Sequence, residues 1–272
     1  MNRLILILAG ALLLPSQAPA ADDAKPKVHV VQGMWSHHWQ IPDALQEKYE
    51  VTESFMTSRY GFVTGLKGFP KTREEFFRND VVVLANIPAD AFKLEGPWPN
   101  MQPAKDCSVD WIEEFVRQGG SLFLLGGNYS LGVGGQVKGT SLEKLLPMAI
   151  SENDVRPANP EPPYPEFDLK PVKKHAILTA LDWTKTPVTL FYHDVKPKPD
   201  AEVLVQAGEA PIMIAGRYGK GRVVVWLATL HGEPQDAASA YWRWKDWPQL
   251  VRNTVAWLSA DGNDTQGTEK NR

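Results

Sequence analysis

The stretch Ser121-Leu-Phe-Leu-Leu125 runs directly into Gly126-Gly-Asn-Tyr-Ser130 and then into Leu131-Gly-Val-Gly-Gly135. An apolar run followed by a glycine-rich turn predicts a buried strand, a sharp turn and the start of a helix. In open α/β sheets, binding and catalytic sites form at such strand ends. Many hydrolases hold their nucleophile in a turn of this kind. This turn contains no cysteine, and its one serine is Ser130.

Apolar and amphipathic segments alternate on both sides of this stretch. The VVVLA run at 81–85 is apolar throughout, which is typical of a strand buried on both faces in a parallel sheet. The alternation predicts an α/β fold built from βαβ units. The predicted strands are residues 28–32, 51–56, 81–85 and 121–125, and the predicted helices are residues 41–49, 72–77, 108–120 and 141–146.

The pattern changes after residue 156. Residues 156–165 are rich in proline and predict an extended surface loop. The tight turn Tyr218-Gly-Lys-Gly221 joins two apolar runs and predicts an antiparallel hairpin. Because this turn leads into a strand and not into a helix, it lacks the geometry of a phosphate-binding loop. Further strands are expected at residues 188–192, 202–206, 211–215 and 222–228, and a closing amphipathic helix at 246–258.

Residues 1–20 have the features of a secretory signal peptide. Arg3 precedes the apolar run Leu4–Leu14, and Ala18-Pro-Ala20 offers a small-residue cleavage site. The run is shorter than the roughly 20 residues that a membrane-spanning helix needs, which disfavours an anchor. We therefore expect an exported protein, periplasmic or secreted, with no membrane span after signal cleavage. Residues 21–260 are expected to form one domain, and residues 261–272 a disordered tail.

Composition excludes some classes of partner. The formal net charge is −3 at pH 7, so there is no electrostatic basis for binding nucleic acid or an anionic membrane. The single cysteine, Cys107, rules out an intramolecular disulfide. We expect no cofactor.

Several segments together resemble a known family. They include FVRQGGSLFLLGGNYSLGVGG (115–135), APIMIAGRYGKGRVVVWLA (210–228) and WKDWPQLVRNTVAWL (244–258). They are similar to the glutamine amidotransferase-like family of bacterial exported and membrane proteins. This family belongs to the class I glutamine amidotransferase-like superfamily and is close to the ThuA-like proteins. The resemblance implies a flavodoxin-like, doubly wound, mostly parallel sheet flanked by helices, to which the predicted hairpin adds antiparallel strands near the C-terminus.

The resemblance also implies which residues are candidates for a catalytic role. A class I amidotransferase has a cysteine nucleophile in the turn after a central strand and a His-x-Glu pair late in the chain. The pair His231-Gly-Glu233 matches in type and place, but the turn after Leu125 has no cysteine, and Cys107 precedes the preceding helix. Cysteine-dependent glutaminase activity is therefore not expected. A catalytic triad of Ser130, His231 and Glu233 is one alternative, and a purely structural Ser130 in a loop or helix cap is the other.

A second group of candidate residues follows the first strand. In Trp35-Ser-His37-His38-Trp39, two histidines lie between two tryptophans. They could bind a ligand or pack as aromatics, and no H-x-H or H-E-x-x-H spacing predicts a metal site. We expect Trp35, His37 and His38 to share a sheet edge, and a polar pocket, with four residues that follow other strands. These four are Asn86, Gly127, Asn128 and Tyr129.

The tryptophan-rich segment at 242–247 is either a lid over this pocket or part of the core. The favoured function is an exported amidotransferase-like domain without glutaminase activity. It would bind a small polar or carbohydrate-type ligand, or an exported protein partner, at the carboxyl edge of the strands. The alternative function is a hydrolase or sugar-modifying enzyme that uses Ser130, His231 and Glu233.

Overall fold

A computed structural model describes residues 25–59, 62–95, 102–103, 108–127, 130–131, 135–158 and 161–260. The predicted signal peptide (1–20) and the predicted tail (261–272) lie outside the described residues. Among the described residues, no helix is long and apolar enough to cross a membrane.

The described strands, in chain order, are β1 (Lys27–Gln32), β2 (Glu50–Arg59), β3 (Phe62–Lys67), β4 (Val81–Ala85), β5 (Leu94–Glu95), β6 (Gln102–Pro103), β7 (Ser121–Leu125), β8 (Met148–Arg156), β9 (Phe167–Pro171), β10 (Val188–Thr189), β11 (Tyr192–Pro197), β12 (Glu202–Ala207), β13 (Ala210–Tyr218) and β14 (Gly221–Trp226). The described α-helices are α1 (Ile41–Leu45), α2 (Arg73–Phe76), α3 (Ser108–Gln118), α4 (Ser141–Leu145) and α5 (Trp247–Ser259). Short 3₁₀ helices occur at Ser36–Trp39, Ala89–Phe92, Ala176–Leu178, Ala237–Ser239 and Tyr241–Arg243.

A ten-stranded sheet forms the centre of the fold, in the order β10-β9-β12-β13-β14-β7-β4-β1-β2-β3. Strands β14, β7, β4, β1 and β2 are mutually parallel. The strands outside this parallel block are antiparallel to their neighbours. Two small sheets, β11-β8 and β5-β6, complete the described strands.

Helices cover both faces of the parallel strands. On one face, α1 and α5 pack on the sheet with the buried aromatics Trp39, Tyr241 and Trp247. On the other face, α2, α3 and α4 contribute a second buried cluster. Every residue of β4 and β7 is consequently buried, as a strand covered on both faces requires. The α/β prediction is confirmed.

Local predictions agree with the structure where the pattern was strongest. The strands predicted at 81–85 and 121–125 are observed with those bounds, and β13 and β14 form the predicted hairpin with Tyr218 opposite Gly221. The helix predicted at 41–49 is shorter, because the chain leaves it after Leu45 to enter β2. The strands that were not predicted are β3, β5, β6, β8, β9 and β11. β8 contains the polar run 151–154, and it pairs only with β11, outside the main sheet.

Candidate functional site

The carboxyl ends of the parallel strands lie side by side, and backbone hydrogen bonds continue one residue beyond three of them. The N–H of Gly33 donates to Ala85 O at 2.8 Å, and the N–H of Asn86 donates to Leu125 O at 3.1 Å. The N–H of Gly126 donates to Trp226 O at 2.6 Å. The residues that follow β1, β4 and β7 are therefore held in register at one edge of the sheet.

Asn86 lies at this edge and packs against the turns that contain Gly33 and Gly127. It has a left-handed backbone (φ 49°), its side chain is buried, and its Nδ2 donates to Met34 O at 2.6 Å. A Cβ on Gly33 would lie 1.8 Å from Asn86 O, and a Cβ on Gly127 would lie 2.2 Å from Asn86 Cγ. Because real Cβ atoms do not come this close to other atoms, both turns need glycine at these positions.

Ser130 forms hydrogen bonds back to Gly127 within the glycine-rich turn. The N–H of Gly127 donates to Ser130 Oγ at 2.8 Å, and both the N–H and the hydroxyl of Ser130 approach Gly127 O at 3.1 Å. The side chain of Ser130 is buried. In this conformation its hydroxyl stabilises the turn, and its role as a nucleophile stays a prediction. Asn128 and Tyr129, predicted to bind ligand, lie outside the described residues.

His193 is part of this site, although sequence reasoning did not identify it. It is fully buried on β11, and its Nε2 lies 3.0 Å from Gly127 O. Because a carbonyl only accepts, Nε2 carries the hydrogen in this contact. The backbone N–H of His193 donates to Leu227 O at 3.0 Å, which holds β11 beside the end of β14. The sequence signal for His193 was weak, since it depends on a strand that the pattern did not predict.

His231 and Glu233 follow β14 and make different contacts. The ring of His231 packs edge-on against Phe191, with centroids 4.7 Å apart, and the backbone N–H of His231 donates to Thr229 Oγ1 at 3.2 Å. The exposed carboxylate of Glu233 forms an ion pair with Arg243. A charge relay from Glu233 through His231 to Ser130 therefore stays a prediction.

The Trp35–Trp39 segment forms a short 3₁₀ helix beside these residues. Trp35 is 45% exposed, whereas Trp39 is completely buried. The rings of His37 and His38 are exposed and 4.1 Å apart. The pKa of His38 is lowered by partial burial and by the charges of His37 and Arg243, whereas Glu233 acts in the opposite direction.

The segment after β1 is joined to the segment after β14 by a hydrogen bond from Trp39 Nε1 to the Tyr241 hydroxyl at 2.9 Å. Within the described part of the chain, no three His, Cys, Asp or Glu side chains are grouped so that they could hold a metal ion.

A family model described as "Putative glutamine amidotransferase" matches residues 41–260. The chain belongs to this glutamine amidotransferase-like family. Solved structures share the fold at low sequence identity. A cytoplasmic protein from Salmonella typhimurium LT2 is 18% identical, with a TM-score of 0.67 over 85% of this chain and 99% of that one. Comparison with curated proteins gives no match.

A ThuA-like protein from Parabacteroides merdae is 15% identical, with a TM-score of 0.54 over 90% of this chain and 94% of that one. At these identities the likeness concerns the fold alone. The glutamine amidotransferase-like family assigned from the sequence is confirmed.

Proposed function

We propose that this family member binds a small polar or carbohydrate-type ligand at the carboxyl edge of its parallel strands and has no cysteine-dependent glutaminase activity. The turn that would hold a thiol nucleophile has none in its sequence. Its glycine at 127 is packed against Asn86, and its carbonyl and N–H groups bond to Ser130 and His193. Gly127 and Ser130 thus provide a hydrogen-bonded, backbone-lined wall.

The order of the strands in the main sheet is the observation that best supports ligand binding at this edge. Across the sheet, the five parallel strands run β2-β1-β4-β7-β14, so the order reverses between β1 and β4. The same order defines the flavodoxin-like class, in which ligands bind outside the strand ends at this reversal. The segment that follows β1 places Trp39 in the hydrophobic cluster on one face of the sheet. The segment that follows β4 places Ile87 in the cluster on the other face. Trp35, His37, His38 and Asn86 all come from these two segments.

Thermal unfolding with candidate ligands tests the proposal, because a ligand that binds the folded state raises the Tm by mass action. The probes are D-glucose, D-galactose, L-glutamine and L-serine. We expect at least one to raise the Tm saturably, and the rise to shrink in Trp35→Ala. Val172→Ala is the matched control, since Val172 is also an exposed apolar residue but follows β9. If no probe raises the Tm, an exported protein partner becomes the better explanation of this edge.

The second candidate function is hydrolysis by Ser130, His231 and Glu233. It is favoured by the position of Ser130 and His231 after the adjacent parallel strands β7 and β14. Ester hydrolysis of p-nitrophenyl acetate tests it. Loss of turnover in both Ser130→Ala and His231→Ala, with each variant still folded, would support this function over simple binding.

We also propose that the chain is exported by cleavage at its N-terminal signal sequence, on the basis of the residue pattern at 1–20. Expression of the full chain, followed by cell fractionation and N-terminal sequencing, tests this. A mature N-terminus near Ala21 in the periplasmic or secreted fraction is expected. An uncleaved chain in the cytoplasm would contradict it.

A further inference from the structure

A cavity of about 550 Å³ lies beside the candidate site, between residues 185–187 and residues 236–245. An isolated bridge from Val188 to Ala240 holds the two segments together. None of the residues named for the strand-edge site lines this cavity. Its volume falls within the range of small-molecule sites, roughly 300–1,000 Å³.

Charged side chains make up much of the cavity lining. Lys185, Arg243 and Lys245 contribute three cations, and Asp236 contributes one carboxylate. The Asp236 carboxylate accepts the N–H of Ala238 at 3.0 Å, at the start of the short 3₁₀ helix Ala237–Ser239. Thr186 and Ser239 also line the cavity.

Two of the three cations form ion pairs with acidic residues outside the lining. Lys245 Nζ lies 2.9 Å from Asp182 Oδ2. Arg243 pairs with Glu233 and also donates to Ala237 O at 2.9 Å. The guanidinium is therefore oriented before any ligand arrives, which lowers the entropic cost of binding an oxyanion.

Lys185 differs from the other two cations. Its side chain is exposed, and it has neither an ion pair nor a side-chain hydrogen bond among the described residues. An exposed, unpaired ammonium in the same lining as an oriented guanidinium is suited to bind a carboxylate or phosphate. The indole of Trp244 provides an apolar wall for the rest of a small molecule.

We propose that this cavity is a binding site for the anionic group of a small molecule, with Lys185 and Arg243 as its main contacts. The site goes beyond the proposed function, since its anion would bind whether or not the strand edge holds a polar ligand. Carboxylates and phosphates share the required chemistry, and the experiment distinguishes them.

Isothermal titration calorimetry at constant ionic strength tests this site with sodium D-glucuronate and inorganic phosphate, and with D-glucose as the neutral counterpart of glucuronate. We expect saturable binding of at least one anion, and affinity for that anion reduced about tenfold in Lys185→Gln, which corresponds to losing roughly 1.4 kcal/mol of binding free energy. The anion that binds identifies the preferred group.

Lys174→Gln is the matched control, because Lys174 is likewise exposed but lies outside the cavity lining. It should bind the anion as the unmodified protein does. Two results would overturn the proposal: no saturable binding of either anion at millimolar concentration, or equal affinity in Lys185→Gln and Lys174→Gln. Neither result depends on Trp35, so failure here is distinct from failure at the strand edge.

Discussion

The indole Nε1 of Trp39 donates to the hydroxyl of Tyr241 at 2.9 Å, which joins two segments that are 202 residues apart in sequence. The Tyr241 hydroxyl in turn donates to Ala228 O at 3.1 Å, and Trp247 Nε1 donates to Trp39 O at 2.9 Å. All four of these residues are buried. This network fixes the segment that follows β1 against the segment that follows β14, and both segments carry candidate site residues.

Replacing Tyr241 with phenylalanine should therefore destabilise the protein. The change leaves a buried N–H of Trp39 and a buried carbonyl of Ala228 without their partner, at a cost of about 1–3 kcal/mol. Urea unfolding measures the free energy. Tyr192→Phe is the control, since the Tyr192 hydroxyl makes no hydrogen bond within the described residues and should change stability by less than about 0.5 kcal/mol. Equal effects of the two changes would show that the network contributes nothing.

The packing of Gly127 against Asn86 gives a second prediction. Gly127→Ala should destabilise by about 1–3 kcal/mol, because the new methyl group would collide with the Asn86 side chain. In an Asn86→Gly background that side chain is gone and the left-handed backbone is still allowed, so the same alanine should cost much less. Unfolding of the two single variants and the double variant gives the coupling energy. Additive effects would contradict the contact.

We expect His29 to make the free energy of unfolding depend on pH. It is buried between Thr52 Oγ1 and Ser54 Oγ, each 2.7 Å from a ring nitrogen, and burial lowers its pKa to about 4. The folded protein binds this proton more weakly than the unfolded chain does, whose histidine pKa is about 6.5. The contribution of His29 to the free energy of unfolding should thus be complete above pH 6.5. The free energy of unfolding should fall by roughly 3 kcal/mol as the pH is lowered toward 4.

The measurement is the free energy of unfolding between pH 4 and pH 7. His29→Gln should flatten the dependence, leaving the smaller contributions of His38 and His175, whose pKa values burial also lowers. His37→Gln, at an exposed position, should retain it. Should His29→Gln fail to fold, NMR titration of the His29 ring in the unmodified protein gives the answer. A ring that titrates near pH 6.5 would refute the prediction.

The sequence predicted the parts of the fold that local patterns determine. β4 and β7 are apolar throughout, and the helix Ser108–Gln118 begins with serine and is followed by a glycine with φ 127°, so each is visible in a short window. The site was harder to foresee, because its contacts are long-range. His193 reaches Gly127 across 66 residues, and Glu233 pairs with Arg243, which lies ten residues further along the chain. No local pattern contains such contacts.

The central claim is that the edge of the parallel strands at β1 and β4 binds a small polar ligand. The most direct measurement is ¹H–¹⁵N NMR of the labelled protein during titration with D-glucose, D-galactose, L-glutamine and L-serine. We expect saturable shift changes at the amides of Gly33, Gly126 and Gly127 and at the indole of Trp35, with at least one of these probes. Shift changes confined to residues away from this edge, or none with any probe, would contradict it.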